Sequence, residues 1–322
     1  MMQTSIAEVC ELQRKRRRAH LDIMRLDHSI KQIFILPGIV VAFSISQASL
    51  SVHLLFRIVA GIIAMTAIAS SNYVLNEILD APFDRLHPTK RFRPAALGLV
   101  NPFAGYAQWL ILAASGFGIA SEVSAGLLAS CFLLWIMGTL YNVRPLRLKD
   151  IPYLDVIAES FNNPIRFCAG WYILTMSIMP PVSLLIAYWM LGAYFMALKR
   201  FSEYRQIGPE RAGWYRKSFR HYTEKSLLNS VVFYAATSML FFGAFIMRYR
   251  LELVMSFPVI ALLMAAYFNL AFEPDSAVQN PEKLFREPRL MILLVVCVAF
   301  LAVLLFVRVP HLEQIFPRSV AP

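Results

Sequence analysis

The chain has 322 residues, 58% of them hydrophobic and only 16% charged, and carries a formal net charge of +11. A soluble domain runs nearer half apolar and a quarter charged, so the composition excludes an ordinary soluble fold and reads as an all-α integral membrane protein. The cations sit in the N-terminal stretch and in loops, not on a basic domain with interleaved aromatics, which excludes a nucleic-acid-binding module.

Residues 1–31 are polar and hold the run Arg14, Lys15, Arg16, Arg17 and Arg18. This is read as a basic cytoplasmic tail without a cleavable secretory leader, followed by one membrane domain over 32–322. Apolar runs of about 20 residues, enough to cross a bilayer as helix, fall near 32–50, 53–79, 95–119, 122–141, 153–178, 181–199, 227–247, 251–272 and 289–309. Nine transmembrane helices are therefore expected. With a cytoplasmic tail, alternation places the loops 80–94, 142–152, 200–226 and 273–288 on the same side, and the first three are strongly basic, as the positive-inside rule demands. Arg248 and Arg250, in a short external turn, run against that rule. Cys10, Cys131, Cys168 and Cys297 are scattered without metal-ligand spacing.

At the end of the second apolar run, Asn72, Asn76 and Asp80 recur every four residues, climbing one helix face in steps of about 6 Å. Asp84 continues the series, but Pro82 has no N–H for the Ile78 carbonyl and is expected to break the helix, leaving Asp84 on a turn or kink. Carboxylates with an amide oxygen facing one point suit Mg²⁺, which takes a few protein oxygens and fills its other positions with water and substrate phosphates. Asn76, Asp80 and Asp84 are the expected metal ligands, with Asn72 toward the substrate. In the string that follows, RLHPTKRFRP, the cations Arg85, Lys90, Arg91 and Arg93 are placed to meet phosphate oxygens. The plain alternative is a loop made basic by membrane orientation, with the acids as its counterions.

The pattern Asn76, Asp80, Asp84 resembles the NDxxDxxxD motif of the UbiA superfamily of intramembrane prenyltransferases, whose members have nine transmembrane helices. The continuation DRLHPTKRFRP is similar to the branch of that superfamily containing decaprenyl-phosphate phosphoribosyltransferase. Glu77 departs from the motif, standing where the family usually has Asp. The resemblance implies a UbiA-like helical bundle with cytoplasmic active-site loops.

After the fourth run comes LYNVRPLRLKDIPYLDVIAESFNNPIRF. Tyr141 and Lys149 resemble the tyrosine and lysine that the superfamily uses to touch a diphosphate, which puts Lys149 with Asp80 and Asp84 in the implied catalytic set. Arg144 and Arg147 add phosphate-capable charge. Asp155, Glu159, Asn162, Asn163 and Arg166 fall at helical spacing, a polar stripe that must face a wet cavity or a partner. It can bind ribose hydroxyls through its carboxylates and amides, or it can be an internal pairing of Asp155 or Glu159 with Arg166. The third loop opens with ALKRFSEYR, where Lys199, Arg200 and Glu203 resemble the KRxxE string of the phosphoribosyl branch. The basic-aromatic RAGWYRKSFRHYTEK is capable of lying on the membrane surface or of closing over a site.

A metal-bound diphosphate leaving from carbon serves either an allylic prenyl diphosphate or phosphoribosyl pyrophosphate. A polyprenyl phosphate acceptor is anionic and needs many cations around it, and this chain supplies them. The expectation is thus Mg²⁺-dependent transfer of 5-phosphoribose from phosphoribosyl pyrophosphate to a polyprenyl phosphate in a bacterial inner membrane. The alternatives are prenyl transfer to an aromatic or lipid acceptor, and a non-enzymatic transporter or scaffold. A homo-oligomer is compatible with such a bundle.

Overall fold

A computed structural model describes residues 6–46, 49–85, 90–279 and 281–316, with the side chains of 6–13, 281–283 and 313 left aside. The motif residues 86–89, between Arg85 and Lys90, lie outside the described residues. Everything described is helix, turn or coil, with no strand. Eight helical runs are long and apolar enough to cross a membrane: Arg14–Ser46, Val52–Asp84, Pro102–Val123, Ala125–Asn142, Val182–Ile207, Glu224–Tyr249, Leu251–Leu270 and Pro288–Phe306.

The chain divides into two compact units. The first holds residues 1–39, 48–149 and 165–177. It begins with α1 (Ile6–Asp22), a 3-10 stretch and the first turn of α2 (Leu36–Ser46), and continues with α3 (Val52–Asp84), α4 (Pro102–Val123) and α5 (Ala125–Asn142). Each long helix starts where a side chain satisfies orphan backbone N–H groups. Ser51 accepts from the Leu54 N–H, Asn101 from Phe103 and Ala104 with Pro102 at the first helical position, and Ser124 from Leu127. The basic N-terminal stretch is anchored: Ala19 and Ile23 are buried in one cluster with Val74, Ala95 and Val100, and Gln108 Nε2 donates to the His20 carbonyl at 2.8 Å. Arg14, Lys15, Arg16, Arg17 and Arg18 stay exposed.

Helices in lipid gain nothing from hiding apolar surface, so they associate through close van der Waals packing at small residues. The first unit shows this where α2 meets the helix Asn162–Leu174. A Cβ on Gly38 would fall on the Phe167 carbonyl, and one on Gly170 on the Ile35 carbonyl. Only a glycine pair permits that backbone-to-backbone crossing.

The second unit holds residues 40–47, 150–164 and 178–322. It contains α6 (Leu154–Ser160), α8 (Val182–Ile207), α9 (Pro209–Tyr215), α10 (Glu224–Tyr249), α11 (Phe257–Leu270), α12 (Pro288–Phe306) and the short α13 (Leu312–Ile315), the helix Asn162–Leu174 being α7. Its core runs along α8 and α10, with Ala193, Ala197, Leu198 and Phe201 packed with Leu227, Val231 and Tyr234. The two helices are antiparallel: Ser238 donates to the Ala187 carbonyl at 2.9 Å, while residues 218–222, just before α10, lie beside Arg200 near the other end of α8.

Two expectations meet a different structure. The stretch 153–178 is not one helix but α6 and α7, neither long enough to be counted as a span, which leaves eight such segments among the described residues. Pro164 cannot donate to the Ser160 carbonyl, yet it is tolerated in a first helical turn, so α6 ends and α7 starts at Asn162. The polar stripe is thereby divided, with Asp155 and Glu159 on α6 and Asn162, Asn163 and Arg166 on α7. Conversely, Pro82 does not stop α3, which continues to Asp84. Only the bond to Ile78 is lost, and Arg85 N–H still bonds the Ala81 carbonyl at 3.2 Å.

Candidate functional site

In the first unit, polar residues converge on Asp80 at the end of α3. Lys149 Nζ donates to both its oxygens, at 2.7 and 2.8 Å, and Arg147 donates to Oδ1 at 2.7 Å. Asn76 Nδ2 reaches Oδ2 at 3.2 Å and also donates to Asn142 Oδ1. The same Asn142 oxygen accepts from Lys149 at 2.8 Å, while its own amide donates to the Gly138 carbonyl. The Arg147 guanidinium lies over the Phe83 ring at 4.8 Å, and that of Arg144 approaches the same ring at 5.9 Å. One carboxylate thus sits between two cations, with a third nearby. The excess positive charge suits an anion with more than one negative charge.

One turn further along α3, Asp84 pairs with Arg93 at 2.8 Å, and the acid is almost fully buried. Arg85 turns back to the Ala96 carbonyl at 3.1 Å. Glu77 is buried, and its Oε1 has no hydrogen-bond partner among the described residues. Asn72 lies a turn deeper, donating to the Leu134 carbonyl at 2.9 Å. A Cβ at Gly138 would collide with its amide. Asn72 is therefore part of the α3–α5 packing as well as of the polar ladder.

The other residues singled out in this unit are dispersed around the cluster. Lys90 and Arg91 sit on a 3-10 turn, with Arg91 over the Phe92 ring. Tyr141 is in the last turn of α5, and Arg166 donates to Gln32 Oε1 at 3.3 Å. Asp155 belongs to a separate cluster.

In the second unit Asp155 is fully buried. Its Oδ2 accepts from Arg200 Nε at 3.1 Å and Ser218 Oγ at 3.2 Å, and its Oδ1 from the Tyr222 hydroxyl at 2.7 Å. Arg216 adds an ion pair at 3.7 Å, and Arg200 also bonds Glu203 at 3.1 Å. Tyr222 accepts in turn from the Tyr153 N–H, fixing a backbone held at a φ of 64°. Burial, and then the charge of Asp155, push the Tyr222 hydroxyl well above the ordinary tyrosine range. Of the KRxxE string, Arg200 and Glu203 face into this cluster and Lys199 is half-buried on α8. Glu159 and Asn162 meet across the break between α6 and α7, where Asn162 Nδ2 donates to the Glu159 carbonyl at 3.1 Å.

Reading the sequence missed Asn142 and Phe83 in the first cluster and Arg216, Ser218 and Tyr222 in the second. Asn142 carried a faint signal, a polar residue at the end of an apolar run beside Tyr141. Phe83 carried none, as one more apolar residue of α3, and Arg216, Ser218 and Tyr222 were legible only as part of the basic-aromatic RAGWYRKSFRHYTEK, with nothing to mark those three within it.

The profile of the UbiA prenyltransferase family matches residues 34–286. Over 172 residues the chain is 34% identical to a decaprenyl-phosphate phosphoribosyltransferase of Mycolicibacterium smegmatis, covering 53% of this chain and 52% of that protein. A protein of the same name from Corynebacterium glutamicum is 30% identical over 161 residues, 48% of this chain and 46% of the relative. The chain thus spans about half the length of the curated relatives it matches. Its fold is that of a UbiA homologue from Archaeoglobus fulgidus bound to DMAPP and Mg²⁺, with a TM-score of 0.67 over 90% of this chain and 99% of the other, at 19% identity. With the family profile covering most of its length and the fold agreeing, the chain belongs to the UbiA prenyltransferase family.

Proposed function

We propose that the chain is a membrane-embedded glycosyltransferase moving 5-phosphoribose from phosphoribosyl pyrophosphate to a polyprenyl phosphate, with its N-terminus and site loops on the cytoplasmic face of a bacterial inner membrane. The observation that carries this reading is the double cationic cover of Asp80 by Arg147 and Lys149. Donor and acceptor are both anionic, and an allylic transfer to a neutral phenol has less use for so much positive charge. The similarity to proteins named decaprenyl-phosphate phosphoribosyltransferase supports the same choice.

The donor set fits Mg²⁺. Asn76, Asp80 and Asp84 offer hard oxygen atoms at one helix end, and Glu77 keeps a buried carboxylate oxygen without a partner among the described residues. Mg²⁺ fills much of its shell with water and phosphate oxygens, so a few protein oxygens are enough to hold it. When bound, the ion neutralises the leaving diphosphate.

Arg147 and Lys149 then hold diphosphate oxygens, and the Phe83 ring, 4.8 Å from the Arg147 guanidinium, supports that cation. Arg93, Arg144, Lys90 and Arg91 hold the remaining phosphates, with Tyr141 donating its hydroxyl. An oxygen of the lipid phosphate attacks C1 of the ribose, and the bond from C1 to pyrophosphate breaks with its electron pair leaving on pyrophosphate. The carbon inverts, and no covalent enzyme intermediate is required.

A second reading, prenyl transfer from a prenyl diphosphate, is favoured by the fold neighbour that binds DMAPP. The test supplies purified protein with Mg²⁺ and polyprenyl phosphate, using either labelled phosphoribosyl pyrophosphate or labelled prenyl diphosphate. Labelled phospholipid from the first donor only, absent with Asp80→Asn, is the expected result. Turnover of the second donor alone sinks the phosphoribosyl reading.

A further inference from the structure

Residues 208–223 join α8 to α10 in the second unit. Because these helices are antiparallel spans, both ends of the connection emerge at one membrane face, and a segment this short stays at that face. Its side chains divide into two sets. Ala212, Ser218, Phe219 and Tyr222 are buried, whereas Arg211, Trp214, Lys217, Arg220 and His221 are exposed. Trp214 is 88% exposed, a large indole with one polar edge and nothing covering its ring.

The buried set is held firmly. Tyr222 and Ser218 donate to the fully buried Asp155, Arg216 pairs with it, and Phe219 packs on Tyr204, Tyr215 and Tyr222. Lys217 is tied to Asp150 at 3.5 Å. The exposed set is therefore presented by a fixed backbone. Between α9 and α8 the segment leaves an open cavity of about 350 Å³, with Arg220, Trp214 and Glu210 among its lining residues.

We propose that this exposed face is a docking surface for the headgroups of anionic phospholipids in the bilayer the chain crosses. Arg211, Arg220 and Lys217 outnumber Glu210 and the Asp150 paired with Lys217 and supply the charge complementarity, and an indole at headgroup depth is the usual companion of such cations. Arg220 and Trp214, sharing one cavity, are the contact for a headgroup phosphate. The inference concerns the α8–α10 connection alone and does not depend on which donor the enzyme uses.

Full-length protein is placed in nanodiscs of phosphatidylcholine, with or without phosphatidylglycerol, and backbone hydrogen exchange is read for peptides covering 208–223. Each cation near an anionic surface is worth about a fivefold factor. Anionic lipid should thus slow exchange in this segment by about an order of magnitude, with the α4–α5 turn unchanged. The double variant Arg211→Gln, Arg220→Gln, both exposed and outside the Asp155 cluster, should lose that difference while keeping the wild-type melting temperature. Equal exchange in both lipids overturns the proposal, as does protection that survives in the double variant. Inorganic phosphate giving the same protection in pure phosphatidylcholine overturns the lipid as its source.

Discussion

Lys149 grips Asp80 through both carboxylate oxygens, at 2.7 and 2.8 Å, although 69 residues separate the two in sequence. An acid at the end of α3 and a base in the loop after α5 are thereby held together at one helix end. Asp80→Asn should lower transfer by about 10²- to 10³-fold, the usual cost of deleting one preorganised electrostatic group. Initial rates at saturating donor check it, and an undiminished rate would remove Asp80 from the site.

Arg147 and Lys149 share the Asp80 carboxylate, so their effects should not add. Lys149→Met and Arg147→Met are each expected to lower kcat/KM for the donor by about tenfold to a hundredfold, from the loss of a charge-assisted contact. Combining either with Asp80→Asn should cost less than the product of the single losses. A double-mutant cycle on kcat/KM measures the coupling, and strict additivity would argue that the three do not act together.

Asp155→Asn leaves Arg200 in the protein interior facing a neutral amide. Breaking a buried, hydrogen-bonded ion pair typically costs about 3–5 kcal/mol, so the variant should unfold at a clearly lower temperature in detergent. Tyr222→Phe, which removes one hydroxyl and leaves the charge pair, should cost only about 1–3 kcal/mol.

The raised Tyr222 pKa has a direction in pH. In the unfolded chain this hydroxyl ionises near the ordinary tyrosine value of about 10, whereas in the fold it stays protonated to higher pH. The stability it contributes is fully present below about pH 10 and is lost as pH rises above it toward the folded value. The thermal advantage of wild type over Tyr222→Phe should therefore be constant from neutral pH to about 9 and shrink at higher pH. Melting curves of both proteins across that range test it; a gap that widens with alkali would contradict it.

Gly138→Ala places a methyl group on the Asn72 amide. Asn72 must then leave the Leu134 carbonyl or the two helices must part, and overpacking of this kind costs about 1–3 kcal/mol. Thermal unfolding checks the loss. Asn72→Ala in the same background should recover part of it, since the colliding amide is gone.

Much of the architecture was written in local pattern. Apolar runs of bilayer length depend only on nearest neighbours and lipid, so α3, α4, α5, α8, α10 and α12 lie close to where composition put them. The polar ladder on α3 and the cations after α5 were legible for the same reason, since residues on one helix or one loop share a neighbourhood set by the backbone alone. The break between α6 and α7 could be read only halfway. Pro164 signals a boundary, but a proline inside an apolar run is equally compatible with a continuous helix, as Pro82 within α3 shows.

What only tertiary structure decided is which partner each charged group takes. Asp155 and Arg166 share helical spacing, yet Asp155 meets Arg200, Ser218 and Tyr222 while Arg166 meets Gln32. Spacing ranks neighbours along one helix, but a buried carboxylate is satisfied by whichever donors packing brings within hydrogen-bond reach, and those lie dozens of residues away in chain order. The sequence by itself determined a membrane-embedded helical chain with acids and bases gathered in its loops. The crossing of α3 with α5, and of α8 with α10, decided that those charges form two satisfied clusters, because a charge withdrawn from water must find its counter-charge wherever the fold has placed one.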